Sequence, residues 1–212
     1  MASEASVHHP IFARLFAWGA SNAPPQQTEH RRRLLEGLSG RVVEVGAGNG
    51  LNFPHYPATV TEVVAVEPEA YLRSKAEVAA AGAPVPIRVV DGLADALPAA
   101  DGEFDAGVAS LVLCSVPDQA TALAELRRAI RPGGELRFYE HVLSQDTRAA
   151  RGQHRTDRVW PRFAGGCHPN RDTPAAIAAA GFDIERCERF SFKPFFLLKA
   201  IEPHVIGTAK RP

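Results

Sequence analysis

The stretch Glu44-Val45-Gly46-Ala47-Gly48-Asn49-Gly50 decides the fold of this chain. It closes a strand-like run over residues 41–45 and carries glycine at three alternate positions. Glycine adopts positive φ angles at no steric cost, and because it lacks a Cβ the backbone there can approach a ligand closely. A strand that ends in such a turn is typical of α/β folds that bind an adenosine-containing cofactor.

The spacing of these glycines indicates which cofactor is bound. A dinucleotide-binding turn reads G-x-G-x-x-G, so its third glycine would fall at position 51, which is Leu51. The third glycine instead comes at Gly50, and Glu44 lies two residues before the first, where its carboxylate can accept a hydrogen bond from a cationic amine. Both features favour S-adenosylmethionine (SAM) over a nicotinamide dinucleotide. A glycine-rich turn that binds nothing is the alternative.

Length and charge exclude several classes of protein. The 212 residues suit one domain with a well-buried core. Lysine plus arginine and aspartate plus glutamate each number 24, so the net charge is zero. We therefore expect no basic surface patch that would bind nucleic acid. The expected partner is a small molecule. The sequence leaves the oligomeric state open.

The cysteines and the N-terminal segment bear on compartment. Cys114, Cys167 and Cys187 are scattered, with no C-x-x-C or C-x-x-H pair, so we expect no metal site, no disulfide framework and a reducing cytoplasm. No signal-peptide pattern is seen. The apolar segment at 11–18 is interrupted by Arg14 and is shorter than the roughly 20 residues that span a membrane. It predicts a helix that covers a pocket rather than a stable membrane anchor, with a weak interfacial anchor as the alternative.

Strand-like and helical segments alternate along the first two thirds of the chain. We predict strands over residues 41–45, 60–66, 87–90, 104–110 and 135–141, and helices over 29–38, 69–81 and 118–130. This alternation implies right-handed crossovers and a parallel sheet with helices on both faces. The arginines at 31–33 are interpreted as a solvated helix face.

The C-terminal third changes character. A helix over 173–180 precedes strand-like runs over 182–192 and 203–210, and the residues between these runs are too few for a helical crossover, which predicts an antiparallel pair. The fold class is therefore an α/β, Rossmann-like, doubly wound fold. Its mostly parallel seven-stranded sheet has one antiparallel strand near the edge. Within one domain over 1–212 we expect an N-terminal helical cover (1–39), a cofactor-binding core (40–142), and a substrate cover with the terminal hairpin (143–212).

Acidic and small residues follow the predicted strands where a cofactor would lie. Glu67 ends the second strand about 20 residues after the glycine turn, where a carboxylate can accept both ribose hydroxyls. The loop at 91–98 should contact the adenine. Either Asp91 or Asp95 would accept a hydrogen bond from the edge of the ring. The predicted cofactor-binding residues are Glu44, Gly46, Ala47, Gly48, Gly50, Asn52, Glu67, Pro68, Leu93, Ala94, Asp95, Ser110 and Leu111.

Five segments, in order along the chain, resemble class I SAM-dependent methyltransferases that act on small molecules. They are EVGAGNG (44–50), VAVEP (64–68), DGLADALP (91–98), FD (104–105) and LRRAIRPGGELRFYEH (126–141). The resemblance implies a Rossmann-like domain that transfers a methyl group from SAM and releases S-adenosyl-L-homocysteine.

A narrower resemblance is to the animal methyltransferase-like alkyl thiol S-methyltransferase family. The segments that carry it are GNGLNFPHYP (48–57), LVLCSV (111–116), RPGGELRFYEHV (131–142), DRVWP (157–161), GGC (165–167), NRDT (170–173) and HVIGTAK (204–210). It implies a small, lipophilic acceptor, with a thiol favoured. Methylation of N, O or C in secondary or quinone metabolism and a non-catalytic SAM-binding module are the alternatives. An NAD-dependent oxidoreductase is disfavoured by Leu51.

The acceptor site is expected between the fourth strand and the last helix. Cys114 follows the fourth strand and His141 ends the fifth, and we take both as catalytic candidates, with His141 the best general base because its reference pKa lies near neutrality. The alternatives are a small buried hydrophobe for Cys114 and a structural histidine for His141. The candidate substrate-binding residues are Cys114, Trp160, Phe163, Cys167 and Arg171. The apolar run from Phe190 to Leu198 is either a lip for lipophilic substrates or core packing of the terminal hairpin.

Overall fold

A single seven-stranded sheet organises the protein. The computed structural model describes residues 13, 14, 17, 24–193 and 199–212. The strands are β1 (Gly40–Val45), β2 (Val60–Val66), β3 (Ile87–Val90), β4 (Phe104–Ser110), β5 (Ile130–His141), β6 (Asp183–Ser191) and β7 (Pro203–Lys210). The α-helices of at least seven residues in the described ranges are α1 (Pro25–Leu35), α2 (Ala70–Ala80), α3 (Gln119–Ala129), α4 (Thr147–Thr156) and α5 (Thr173–Ala179).

The strand order is β3-β2-β1-β4-β5-β7-β6. The pairs among β1 to β5 are parallel, whereas β7 pairs antiparallel with both β5 and β6. The predicted doubly wound sheet with one reversed strand near its edge is therefore confirmed. Because the order reverses between β1 and β4, the carboxyl ends of these strands form the crevice in which such sheets bind ligands.

Side chains of the central strands pack into two apolar layers, one on each face of the sheet. Val43 and Val45 of β1 pack with Leu123 and Leu126 of α3 on one face. Val42, which precedes Val43 in β1, packs on the other face with Leu34 and Leu35 of α1. Successive side chains of a strand point to opposite faces, so a strand buried on both sides is apolar throughout. This double burial fixes the carboxyl ends of the strands on a rigid platform.

The structure departs from the sequence-based boundaries at helix α1. We predicted a loop over residues 20–30 and a helix over 29–38, but α1 begins at Pro25 and ends at Leu35. Proline is tolerated in the first turn of a helix because its missing N–H has no intrahelical partner there. Pro24 and Pro25 therefore mark the start of the helix rather than a loop.

One helix and the start of one strand also differ from the sequence-based prediction. Helix α4 was not predicted, because its ten residues carry no apolar stripe and bury only Gln153; Asp146 caps it by accepting a hydrogen bond from Ala149 N. Strand β5 begins at Ile130, directly after α3, although Pro132 and Gly133 indicated a break before Glu135. The break exists as a register irregularity against β4 between Phe104 and Ala106.

Part of the predicted cover lies outside the described residues. Of the apolar segment at 11–18, the structure describes Ala13, which is buried, Arg14, whose guanidinium lies 5.9 Å from the ring centroid of Tyr71, and Ala17. The run at 194–198, including Phe195 and Leu198, is also outside. Among the helices that the structure does describe, none is long and apolar enough to cross a membrane.

Candidate active site

The glycine turn after β1 has the backbone conformation that its sequence predicts. Gly46, Gly48 and Gly50 have φ angles of 63°, 59° and 82°, a region that side chains with a Cβ rarely adopt. A Cβ at Gly46 would lie 2.8 Å from the Cβ of Val112, and one at Gly50 would lie 2.9 Å from the Cβ of Ala79. Glycine is therefore required both by the turn and by the side chains packed against it.

Glu67 closes this turn. Its carboxylate accepts hydrogen bonds from the backbone N–H of Gly48 (2.7 Å) and of Glu69 (3.0 Å) and is 5% exposed. Burial raises the pKa of Glu67, while the two N–H groups oppose that shift by favouring the ionised form. A carboxylate has about four acceptor positions, so each oxygen can accept a further donor.

Glu44 lies beneath the turn in a fully buried network. Its carboxylate accepts from Asn52 Nδ2 and from the Tyr56 hydroxyl, both at 2.7 Å. Arg31 of α1 donates to Asn52 Oδ1 (2.8 Å) and to Ser110 Oγ (3.1 Å) at the end of β4. The network therefore links the first helix to the carboxyl ends of β1 and β4.

Arg31 was missed by the sequence reasoning. We predicted that the arginines at 31–33 face solvent, but Arg31 is only 6% exposed, so for this residue the prediction was wrong. Arg32 does pair with Glu29 at the surface, and Arg33 pairs with Glu188. Because successive helix residues are about 100° apart, three in a row cannot share one solvated face. That periodicity was the signal that could have identified a buried member.

The residues around the turn fit an adenosine-type cofactor. The buried Oδ1 atom of Asn49 has no hydrogen-bond partner within the part of the chain that the structure describes, and buried polar atoms normally have one. Glu44 and Glu67 add carboxylate oxygens with free acceptor positions. The side chains of Leu93 and Asp95 in the loop after β3 are exposed, Leu93 at 36%, and Ala94 is half-buried. Donors on a ligand would therefore meet acceptors at this edge of the sheet.

The loop after β4 is wound around one buried carboxylate. Glu140, the penultimate residue of β5, accepts hydrogen bonds from three consecutive backbone N–H groups: Val112 and Leu113 at 3.0 Å and Cys114 at 3.1 Å. The loop starts at Leu111, which has a left-handed φ of 57° and donates its N–H to Tyr139 O. Burial raises the pKa of Glu140 against the opposing effect of these N–H groups. Sequence reasoning placed Glu140 at a strand end but assigned it no role.

Cys114, His141 and Cys167 meet at the end of this loop. His141 Nδ1 lies 3.6 Å from Cys114 Sγ and 3.5 Å from Cys167 Sγ, and the two sulfurs lie 3.8 Å apart. Both thiols are buried, at 1% and 6% exposure, and His141 is half-buried. The hydrogen bond between the two sulfurs and the neighbouring His141 lower the pKa of the Cys167 thiol, while Cys167 and burial raise the pKa of Cys114. The cluster thus favours a thiolate on Cys167.

The segment that carries Cys167 is fastened to the loop that carries Cys114. His168 N donates to Cys114 O (2.7 Å), and Arg171 Nη1 donates to Leu113 O (2.6 Å). Gly166, with φ of 82°, approaches so closely that a Cβ there would lie 2.8 Å from Ser115 O. We predicted Arg171 as a substrate contact; the structure shows its guanidinium holding backbone carbonyls, and a substrate role stays a prediction.

Helix α4 is joined to the segments around it by the side chain of one buried glutamine. Gln153, 1% exposed, donates to Val142 O (3.0 Å), Pro169 O (2.9 Å) and Ala200 O (3.0 Å), while its carbonyl accepts from Ser144 N at 2.8 Å. One side chain therefore ties together the end of β5, the segment after Cys167 and the turn before β7. Since α4 was not predicted, this anchor was not predicted either.

The aromatic candidates differ in exposure. Trp160 is half-buried, and its buried Nε1 has no well-aligned partner in the described chain, although it lies near enough to lower the pKa of Cys167. Phe163 is 73% exposed. The Phe190 ring lies 4.5 Å from that of His30 and 5.6 Å from that of His204, so Phe190 packs within the hairpin region.

The protonation of Glu44 generates a testable pH dependence. Complete burial raises its pKa from 4.5 to about 7, against the opposing effects of Tyr56, Asn52 and Arg31. Between these values the folded protein binds a proton that the unfolded chain has lost, so this contribution to stability is greatest below about pH 4.5 and is lost as the pH rises through 7. Each pKa unit corresponds to about 1.4 kcal/mol, so the full effect is about 3 kcal/mol.

We therefore expect Glu44→Gln to flatten the pH profile. Urea unfolding at several pH values should show wild type losing about 3 kcal/mol relative to the variant as the pH rises from about 4.5 to above 7. Glu77→Gln, at an exposed position of α2, is the matched control and should follow the wild-type profile. Parallel profiles for wild type and Glu44→Gln would contradict the assignment.

Comparisons with known proteins agree with this geometry. The family described as "Methyltransferase domain" matches residues 43–138, from β1 to β5. Thiol S-methyltransferase TMT1B of Mus musculus is 35% identical over 182 residues, which cover 82% of this chain and 73% of the mouse protein. Thiol S-methyltransferase TMT1A of Homo sapiens is 32% identical over 207 residues, 87% of this chain and 79% of the human protein.

A solved structure shows the same fold. A Bacillus halodurans protein described as a methyltransferase superposes with a TM-score of 0.70 over 88% of this chain and 99% of its own, at 14% identity. The glycine turn, the acidic residues after β1 and β2, and the match through β5 identify SAM as the cofactor. The chain belongs to the SAM-dependent methyltransferases, in the family that contains the thiol S-methyltransferases.

Proposed function

We propose that this protein transfers the methyl group of SAM to the sulfur of a small, lipophilic thiol. The observation that carries the proposal is the similarity to relatives named thiol S-methyltransferases. Its 182 aligned residues extend beyond the 43–138 domain, so they include part of the region outside the cofactor core. Of the acceptor-side segments quoted from the sequence, the one around Cys114 lies within the 43–138 domain and the one around Cys167 lies beyond it.

The residues around the glycine turn are proposed to hold the cofactor. Bound SAM supplies a methyl group on a positively charged sulfur. Glu67 would accept the ribose hydroxyls through its free acceptor positions, and Glu44 would favour the cationic amino group. Leu93, Ala94 and Asp95 would meet the adenine. The remaining proposed contacts, by backbone or small side chain, are Gly46, Ala47, Gly48, Gly50, Asn52, Pro68, Ser110 and Leu111.

A thiol acceptor suits the environment of the cluster formed by Cys114, His141 and Cys167. A thiolate and a sulfonium cancel their charges as they react, so a site with little water favours the transition state. Positioning of the two reactants alone can contribute about 7–11 kcal/mol. Because a thiol has an unperturbed pKa of about 8.5, it needs less help from a base than an alcohol does. Cys114 and His141 would contact the acceptor, with Trp160, Phe163, Cys167 and Arg171 around it.

The test is a panel of acceptors with labelled SAM. We expect methyl transfer to alkyl thiols and aryl thiols of matched size, with the methyl thioether identified by mass spectrometry, and at most weak transfer to the corresponding amines and phenols. Transfer to N, O or C in preference to sulfur would overturn the thiol assignment. Binding of SAM without transfer to any member would instead indicate a non-catalytic SAM-binding module.

Glu67 provides a test of the cofactor site. Glu67→Ala should weaken SAM binding at least tenfold in calorimetry, because charge-assisted hydrogen bonds contribute about 1.5–3 kcal/mol and 1.4 kcal/mol is tenfold. Glu67→Gln, which keeps one acceptor oxygen, should fall between, and Glu77→Ala on the exposed face of α2 should bind as wild type does. Unchanged affinity in a folded Glu67→Ala protein would mean that other groups hold the ribose.

A further inference from the structure

We propose that Cys114, His141 and Cys167 bind a zinc ion and leave its fourth coordination position free for the thiol acceptor. The binding of the ion follows from the geometry of these side chains alone. The role of the fourth position rests on the proposed thiol methyltransferase function. Among the described residues, this cluster brings one nitrogen and two sulfur ligand atoms together.

The distances within the cluster match tetrahedral zinc. With Zn–S of about 2.3 Å and Zn–N of about 2.0–2.1 Å, a tetrahedral site places two sulfurs about 3.8 Å apart and a sulfur and nitrogen about 3.5 Å apart. The observed separations are 3.8 Å for the two sulfurs and 3.6 Å and 3.5 Å from His141 Nδ1 to Cys114 Sγ and Cys167 Sγ. All three ligand atoms are therefore already at coordination spacing.

Each ligand is held by a different part of the fold. The loop that carries Cys114 is fixed by three hydrogen bonds from its backbone N–H groups to the Glu140 carboxylate. His141 lies in β5, opposite His204 of β7 in the sheet register. Cys167 is brought in by Gly166 and by the bond from His168 N to Cys114 O. A site built on rigid elements pays little ordering cost when the ion binds.

The chemistry of the donor set points to the same ion. Without a metal, the sulfurs of Cys114 and Cys167 have only long, weak hydrogen bonds, which join them to each other and to His141 Nδ1, and Cys114 Sγ also to Ser115 Oγ at 3.6 Å. Two thiolates balance the charge of a divalent ion, so the bound site would be neutral at a depth where an unpaired charge is costly. Thiolate and imidazole ligands favour zinc over the oxygen-preferring Mg²⁺ and Ca²⁺. Three protein ligands with an open fourth position are the pattern of catalytic rather than structural zinc.

A thiol at the fourth position would be prepared for methylation. On coordination it loses its proton to solvent and remains as a zinc-bound thiolate. In the transfer, the bond from the methyl carbon to the sulfonium sulfur of SAM breaks and its electron pair stays on that sulfur, while a thiolate lone pair forms the new carbon–sulfur bond. The opposite charges cancel, which yields S-adenosyl-L-homocysteine and a neutral thioether. In this state His141 is a metal ligand rather than the general base.

The proposal departs from the sequence-based expectation of no metal. That expectation rested on the absence of closely spaced ligand pairs. Here Cys114 lies 27 residues before His141 and Cys167 lies 26 residues after it, so the three ligands belong to different parts of the chain. Their proximity is a product of the sheet order and the cover, which no local motif encodes.

Metal content tests the site without reference to activity. The 212-residue chain is reduced, stripped with a chelator, reconstituted with zinc and separated from free metal, and zinc per chain is measured by mass spectrometry. We expect one zinc ion per chain in wild type and in Cys187→Ser, the matched control at the exposed cysteine. Cys114→Ser and Cys167→Ser should lose more than about tenfold in zinc affinity while keeping their circular dichroism spectra.

Cobalt(II) provides a second readout on the unaltered protein. Cobalt in the same site should give thiolate-to-metal charge-transfer absorption, and an added alkanethiol should change that spectrum by entering the fourth position. A reduced wild-type chain that takes up neither metal overturns the proposal, as does zinc uptake that Cys114→Ser retains. A Cys114–Cys167 disulfide that forms in the presence of zinc and excludes it does so too. A cobalt spectrum that the thiol leaves unchanged overturns the open position.

The outcomes separate this inference from the proposed function. Zinc uptake in a protein that methylates no thiol would leave the metal site standing and overturn the thiol acceptor. Methylation of thiols at the full rate by protein shown to be metal-free would leave the function standing and overturn the role of the fourth coordination position, whereas zinc uptake alone decides the metal site.

Discussion

The acceptor side of this protein depends on one buried carboxylate. Glu140 accepts hydrogen bonds from three consecutive backbone N–H groups of the loop after β4. It can do so because β4 and β5 are parallel neighbours whose carboxyl ends share one edge of the sheet. The carboxylate provides partners for N–H groups that a buried turn would otherwise leave unpaired. The turn places Cys114 beside His141, the residue after Glu140. The backbone carbonyl of Cys114 then accepts a hydrogen bond from the segment that carries Cys167.

The cofactor side uses the same device with different carboxylates. Glu67 accepts the N–H of Gly48 and so fixes the glycine turn, while Glu44 lies under it and is bridged through Asn52 to Arg31. Arg31 also reaches Ser110 at the end of β4, one residue before the loop that Glu140 organises. The two halves of the site are therefore coupled through buried polar contacts, which are strong only while every member keeps its partner.

The sequence predicted the parts of the fold that follow from local pattern. Each of these signals lies within a few residues: the glycine turn, the alternation of strands and helices, and the short connection before β7. The sheet is mostly parallel with β7 reversed, as predicted. Helix α4 was missed because its burial is that of a single glutamine, which creates no apolar period. Arg31 was missed because the periodicity of its helix was not applied to the arginines at 31–33. The contacts among Cys114, His141 and Cys167 depend instead on which elements become neighbours in space. The candidates were named one by one, and only the folded chain shows that they touch.

In the proposed arrangement, the methyl donor and the cluster of Cys114, His141 and Cys167 face each other across the carboxyl ends of β4 and β5. A crystal structure with S-adenosyl-L-homocysteine tests it most directly, because the sulfur of that product marks where the methyl group leaves. We expect this sulfur to lie beside Leu111 and to point towards His141 Nδ1 and the two cysteine sulfurs. A product sulfur directed towards another face of the site, with the cluster sealed from it by protein, would contradict the account.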